Sequence, residues 1–237
     1  MPVRKKNTMF RHKELILFDF DGTLIDSVPD LARSVNHMLG RLGRPPFEEA
    51  RIRPWIGNGA RTLVERALRA AYDGDAPLPL LVDEALKIFL NFYADNLAVG
   101  TVTYPNVPQV LRQLRDKGYR LAIVTNKPAA FIEPILQSLG MDTMFELKIG
   151  GDSLPHRKPD PLPLLHVCEM LGIDREKCVM VGDSKNDILA AKAAQMHCIG
   201  VGYGYNYDED IAAYGPDLVL DDFCALAEPF GVSCEHG

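Results

Sequence analysis

Leu15-Ile16-Leu17-Phe18 is an apolar run that stops at Asp19-Phe20-Asp21-Gly22-Thr23. A short apolar run of this kind reads as a strand buried on both faces, the sort that builds parallel sheets covered by helices. The carboxyl ends of such strands are where open α/β sheets place their ligands. Two carboxylates at that point are costly to bury unless they are paired, hydrogen-bonded or bound to a metal. Asp-Gly is also ordinary turn chemistry, so the segment takes its meaning from the rest of the chain.

Further strand ends carry matching polar groups. Leu121-Ala122-Ile123-Val124 runs into Thr125-Asn126, and Cys178-Val179-Met180-Val181 runs into Gly182-Asp183, with Asp187 four residues beyond Asp183. Between them, after an apparent strand from Phe145 to Ile149, Arg157-Lys158-Pro159-Asp160-Pro161 puts a lysine just ahead of a helix start. Acids, a hydroxyl and a lysine thus fall on separate segments, each at an element's edge. Scattered surface charge would not be so regular.

Between the first acidic turn and residue 101 the apolar spacing is helical. Leu31, Val35, Met38, Leu39 and Leu42 form one stripe, Leu63, Val64, Ala67, Leu68 and Ala71 a second, and a third helix is expected over Leu80–Leu97; Asp73-Gly74-Asp75 breaks the second. From Tyr104 onward helices and strands alternate, ending in a short strand at Leu218-Val219-Leu220. That order predicts an α/β fold, a doubly wound, mostly parallel sheet with an inserted all-helical cap. The expected division is residues 1–25 and 102–237 as core, with 26–101 as cap.

The chain has 237 residues, 47% of them hydrophobic, and a net charge of −6. That is ample for a core, and the acidic balance argues against a nucleic-acid partner. Arg4, Lys5, Lys6, Arg11 and Lys13 precede the first strand and read as a solvated tail. Five cysteines without CxxC spacing point to reduced thiols in the cytoplasm and against a disulfide frame or zinc site. No stretch is long enough to span a bilayer.

Taken together, Asp19-Phe20-Asp21-Gly22-Thr23, Val124-Thr125-Asn126-Lys127, Arg157-Lys158-Pro159-Asp160-Pro161 and Gly182-Asp183-Ser184-Lys185-Asn186-Asp187 resemble the motifs of the haloacid dehalogenase superfamily, in its order. Trp55-Ile56-Gly57-Asn58-Gly59-Ala60, Gly150-Gly151-Asp152-Ser153-Leu154-Pro155 and Tyr203-Gly204-Tyr205-Asn206 are similar to the phosphoglycolate phosphatase branch. The resemblance implies a small phosphate ester as substrate, Asp19 as nucleophile and Asp21 as general acid and base. It also implies Mg²⁺ held by Asp19, Asp183 and the main-chain carbonyl of Asp21, with Asp187 behind them orienting a water or Lys158. Thr125, the Asn126 N–H and Lys158 would hold the phosphoryl oxygens.

Simpler readings stand beside these. Thr125 could cap the following helix, Asp187 could be an acid favoured by a helix N-terminus, and Asp152 suits a turn. In the helical block, Gly57-Asn58-Gly59 is placed to reach the substrate, and Arg53 and Arg61 could pair with a substrate carboxylate or simply decorate the surface. Trp55 could be only a packing anchor. The implied reaction is Mg²⁺-dependent hydrolysis of 2-phosphoglycolate by a monomer or homodimer. The alternatives are a phosphatase or phosphomutase for another phosphometabolite, such as a phosphosugar or nucleotide, or a phospho-accepting signalling module.

Overall fold

Alternation along β1 (Leu15–Phe18) divides the protein into two layers. Leu15 and Leu17 face one hydrophobic cluster and Ile16 and Phe18 the other, and all four are fully buried. The computed structural model describes residues 9–73 and 78–234. After β1 the chain makes a two-residue strand β2 (Ile25–Asp26), then the helices α1 (Val28–Arg41), α2 (Glu49–Ile52), α3 (Ala60–Ala71) and α4 (Pro79–Asp95). It returns through β3 (Val102–Thr103) to α5 (Val107–Asp116), β4 (Arg120–Val124), α6 (Ile132–Ser138) and β5 (Leu147–Ile149). The remainder is α7 (Leu162–Leu171), β6 (Cys178–Gly182), α8 (Lys185–Ala193), β7 (His197–Val201), β8 (Leu218–Leu220) and α9 (Ala227–Phe230).

Six strands form one parallel sheet in the order β5-β4-β1-β6-β7-β8. The order turns back at β1, between β4 and β6, and such a switch point opens a crevice at the carboxyl ends of the strands. Residues of α5, α6 and α9 share the cluster of Ile16 and Phe18, while those of α7 and α8 share that of Leu15 and Leu17. The expected doubly wound sheet is therefore present. No helix among the described residues is long and apolar enough to cross a membrane.

The helices α1 to α4 bury the anticipated stripes, Leu63, Val64, Ala67 and Leu68 of α3 among them, against one another and against the first cluster. Their entry and exit segments are tied together. β2 and β3 pair antiparallel, and the buried Asp30 carboxylate accepts from the Gly100 N–H at 2.8 Å, the Thr101 N–H at 2.8 Å and the Thr101 hydroxyl at 2.7 Å. The ribbon escaped the sequence reading because a two-residue strand shows no period.

Two expectations are corrected. Lys13 is not part of a solvated tail: it is buried, its Nζ 2.8 Å from His197 Nδ1 and 2.5 Å from the Glu176 carbonyl. Phe10 stacks on Phe230 and draws this segment onto the sheet; Arg4, Lys5 and Lys6 lie outside the described residues, as do Gly74 and Asp75. Cys224 and Cys234 form a disulfide, whereas Cys168, Cys178 and Cys198 are free and buried. The chain reverses after α9 at Gly231, in the left-handed region at φ 72°, and this returns Cys234 to within 5.5 Å of Cys224, Cα to Cα. That fold-back is invisible to a search for close cysteine pairs.

Removing the Asp30 carboxylate takes away the acceptor of the half-buried Gly100 N–H and of the buried Thr101 N–H and hydroxyl. Asp30→Ala should lower unfolding stability by about 3 kcal/mol, read by urea denaturation, whereas the exposed Glu84→Ala should change it little.

Candidate active site

The carboxyl ends of β1, β4 and β6 converge on one buried lysine. Lys158, in the loop between β5 and α7, donates to Asp187 Oδ1 at 2.5 Å and to the Val124 carbonyl at 2.6 Å, and lies 3.1 Å from Asp19 Oδ1. An ammonium has three donors, so all of them are used. The Phe20 N–H also donates to Asp19 Oδ1, at 2.7 Å. Asp187 Oδ2 accepts from the Ser184 N–H at 3.0 Å and the Ser184 hydroxyl at 2.8 Å, closing a capping box on α8. Asp187 therefore both caps a helix and holds Lys158.

Asp183 Oδ1 accepts from the Thr23 hydroxyl and Oδ2 from the Tyr205 N–H, both at 2.8 Å. Gly22 sits against this carboxylate at φ 85°, where a Cβ would collide with it. The Asp-Gly pair is thus a turn as well as part of the site. Burial pushes the Asp19 carboxyl up to about 7, the Lys158 charge opposing and that of Asp187 adding. Asp183 is raised well above the usual range by burial first and by Asp19 and Asp187 next.

Asp19, Asp183 and Asp187 each offer a carboxylate oxygen within 4.8 Å of the others, all buried. One ammonium against three acids leaves negative charge without a partner, and the donors are all oxygen. That set can hold a hard divalent cation. Asp187 is already neutralised by the Lys158 ammonium at 2.5 Å, whereas Asp183 accepts from the neutral Thr23 hydroxyl and Tyr205 N–H, so Asp183 beside Asp19 is better placed than Asp187 to meet a cation.

Asp21 is held apart from this knot. Its Oδ1 accepts from the Ser27 hydroxyl at 2.6 Å and from Lys127 Nζ at 2.9 Å, with Oδ2 at 3.2 Å from the same ammonium. Lys127 also donates to Tyr93 Oη of α4 at 2.7 Å. Burial alone would lower the Lys127 value, but Asp21 and Tyr93 outweigh it and raise it above that of ordinary lysine. Burial pushes the Tyr93 phenol up to about 12. Sequence reasoning gave Lys127, Tyr93 and Ser27 no role. Lys127 stood beside Thr125-Asn126, and that adjacency was the available signal.

The remaining candidates divide. The Thr125 hydroxyl accepts from the Lys127 N–H at 3.3 Å. Asn126 Nδ2 donates to the carbonyls of Gly57 and Lys158, each at 3.0 Å, fastening the loop before α3 to the site. Gly57 and Gly59 line a small cavity with Asp19 and Asp21, and a Cβ on Gly57 would come within 2.6 Å of the Tyr207 hydroxyl. Asn58 turns away to accept from Arg66 at 2.8 Å. Arg53 pairs with Asp26 at 3.0 Å in a half-buried contact and Arg61 with Asp83 at 2.5 Å on the exposed side of the helices, and neither arginine lines the cavity. Trp55 packs edge-on against Phe47, and Asp152 accepts from the Ala129 N–H at 2.8 Å in a turn.

The raised carboxyls fix a pH dependence. The folded state binds protons that the unfolded state has released, so their contribution to stability falls as pH rises from the usual carboxylate range towards about 7. A divalent cation should remove that penalty. Millimolar MgCl₂ is expected to raise the melting temperature by roughly 2–4 °C at pH 8 and by much less at pH 5, where protons compete. Asp183→Asn should abolish the difference.

A family model described as haloacid dehalogenase-like hydrolase matches residues 13–195. The chain is 51% identical over 217 residues to the phosphoglycolate phosphatase of Colwellia psychrerythraea, covering 91% of this chain and 96% of that one. It is 50% identical over 218 residues to that of Psychrobacter arcticus, covering 91% and 95%. The crystal structure of a protein from Haemophilus somnus, described as a predicted phosphoglycolate phosphatase, superposes with a TM-score of 0.86 at 40% identity, covering 91% of this chain and 96% of that one. With its parallel sheet, its helical insert and its acids gathered at the switch point, the chain belongs to the haloacid dehalogenase-like hydrolase family.

Proposed function

We propose that this protein is a Mg²⁺-dependent phosphomonoesterase that hydrolyses 2-phosphoglycolate to glycolate and phosphate. The observation that carries the reading is the pair of acids at the end of β1, each held by its own lysine: Asp19 beside Lys158 and Asp21 beside Lys127. Two carboxylates two residues apart, kept in separate surroundings, suit a nucleophile and an acid–base partner. The identity with phosphoglycolate phosphatases over nine-tenths of the chain supports the choice of substrate.

Asp19 Oδ1 is engaged by Phe20 and Lys158, which leaves Oδ2 to attack phosphorus. An aspartyl-phosphate forms as the ester P–O bond breaks, and Asp21 gives its proton to the departing alkoxide. Asp21 then takes a proton from a water that attacks the same phosphorus, releasing phosphate and restoring Asp19. The Thr125 hydroxyl and the Asn126 N–H hold the phosphoryl oxygens, and the Lys158 charge beside Asp19 offsets theirs. Asp19, Asp183 and the Asp21 carbonyl would hold the Mg²⁺, whose charge offsets that of the phosphoryl group when it is bound.

The cavity above Asp19 has a volume of about 40 Å³, enough for little more than water. The helical segment 26–101 therefore acts as a cap that lifts for the substrate and closes to exclude solvent.

Phosphate release should be measured with 2-phosphoglycolate beside glucose 6-phosphate and ribose 5-phosphate. A kcat/KM at least roughly 10²-fold higher for 2-phosphoglycolate is expected, and a preference for either sugar phosphate would discard the substrate. Asp19→Asn should reduce kcat by about 10⁴ or more and Asp21→Asn by roughly 10²–10⁴. Appreciable turnover by Asp19→Asn would remove the nucleophile.

A further inference from the structure

The mechanism above uses the buried Lys127 only as the partner of Asp21. Lys127 lies at the carboxyl end of β4, its side chain almost wholly removed from solvent. Its ammonium meets both Asp21 oxygens and Tyr93 Oη, and lies 4.9 Å from the centre of the Tyr93 ring. A buried ion pair is seldom retained for stability, since apolar residues of similar volume often serve as well. Its position suggests another use. Lys127 lines the cavity above Asp19, whose walls are largely apolar, with Leu31, Ile56, Leu63, Phe89 and Phe131 among them. Among the described residues lining that cavity it is the only cation, because Lys158 lies beneath the nucleophile and Arg53 and Arg61 are outside.

The size of the substrate then fixes what Lys127 can meet. In a phosphoester whose leaving group is a hydroxy acid of two carbons, one methylene separates the ester oxygen from the carboxylate. An Asp21 that carries the proton for that oxygen on Oδ2 no longer accepts there, which frees the Lys127 donor now 3.2 Å from Oδ2, and the carboxylate one carbon away comes to rest beside it. We propose that Lys127 determines leaving-group specificity by receiving a carboxylate carried one carbon from the scissile ester oxygen. Tyr93, from α4, holds the ammonium at that place, so the anchor is assembled by core and cap together. The inference rests on the phosphomonoesterase reading above and moves carboxylate recognition from the cap arginines to the core.

The test compares 2-phosphoglycolate with 2-hydroxyethyl phosphate, which has nearly the same size but a neutral alcohol in place of the carboxylate. The wild type should favour 2-phosphoglycolate in kcat/KM. Lys127→Met should slow both esters, since Asp21 loses a partner, but should lower the ratio between them by roughly 30-fold or more. Lys127→Gln keeps donors for Asp21 and Tyr93 without the charge, and should lower the ratio likewise even if Lys127→Met folds poorly; thermal melts establish folding for both. A folded variant that retains the wild-type ratio would overturn the anchor while leaving the substrate intact. A wild type without any preference for the carboxylate would overturn the anchor and the substrate together, and that outcome is visible before any variant is made.

Discussion

The contact between Lys158 and its three buried acceptors governs the rest of the site. A desolvated ammonium is tolerated only with its donors satisfied, and here they are taken by Asp19, Asp187 and the Val124 carbonyl. Those acceptors come from the end of β1, the start of α8 and the end of β4. One side chain thereby sets the relative position of three elements at the switch point. It also holds one oxygen of Asp19 in place and lets Asp183 crowd in from the other side. The excess of acid that results suits a hard cation, and it adds to burial, the main cause, in raising the Asp19 and Asp183 carboxyls above their usual range.

A second lysine builds the other half of the site by the same means. Lys127 gathers Asp21 from the core and Tyr93 from the helical insert. The insert is bound to the core at further points: Asn126 and Asn186 both donate to the Gly57 carbonyl, and Tyr205 accepts from the Ser27 N–H, while Tyr203 donates to the Thr23 carbonyl in the first acidic turn. The segment 202–207 thus lies between the first acidic turn and the cap loop. In the proposed reaction, phosphoryl chemistry falls to the acid beside the lysine beneath the cavity, and leaving-group contact to the lysine within it. Such a division lets a family change substrates without disturbing the acids.

Much of this was legible in the chain because it follows local rules. An apolar run of strand length that ends in acids, and apolar stripes at helical spacing, come from backbone geometry and burial alone. They located β1, β4 and β6, the helices of the insert, and the residues Asp19, Asp21, Thr125, Asn126, Lys158, Asp183 and Asp187 at element ends. What was missed depends on contacts far apart in the chain. The β2–β3 ribbon joins residues on either side of the insert, Lys13 is buried by packing against His197, and Cys234 reaches Cys224 only after a left-handed turn.

The arginines show the same boundary most clearly. Arg53 and Arg61 flank a glycine-rich loop that does reach the cavity, and by sequence distance they belong to it. Their side chains leave in other directions to meet Asp26 and Asp83, while Lys127, more than sixty residues away, enters from the facing strand. The sequence by itself determined the layered α/β architecture and the set of acids and lysine at its centre, because periodicity and the cost of burying charge act within a few residues. Only the tertiary structure decided which cation stands beside Asp21 and which acids share a lysine, because those pairings depend on how separate elements pack.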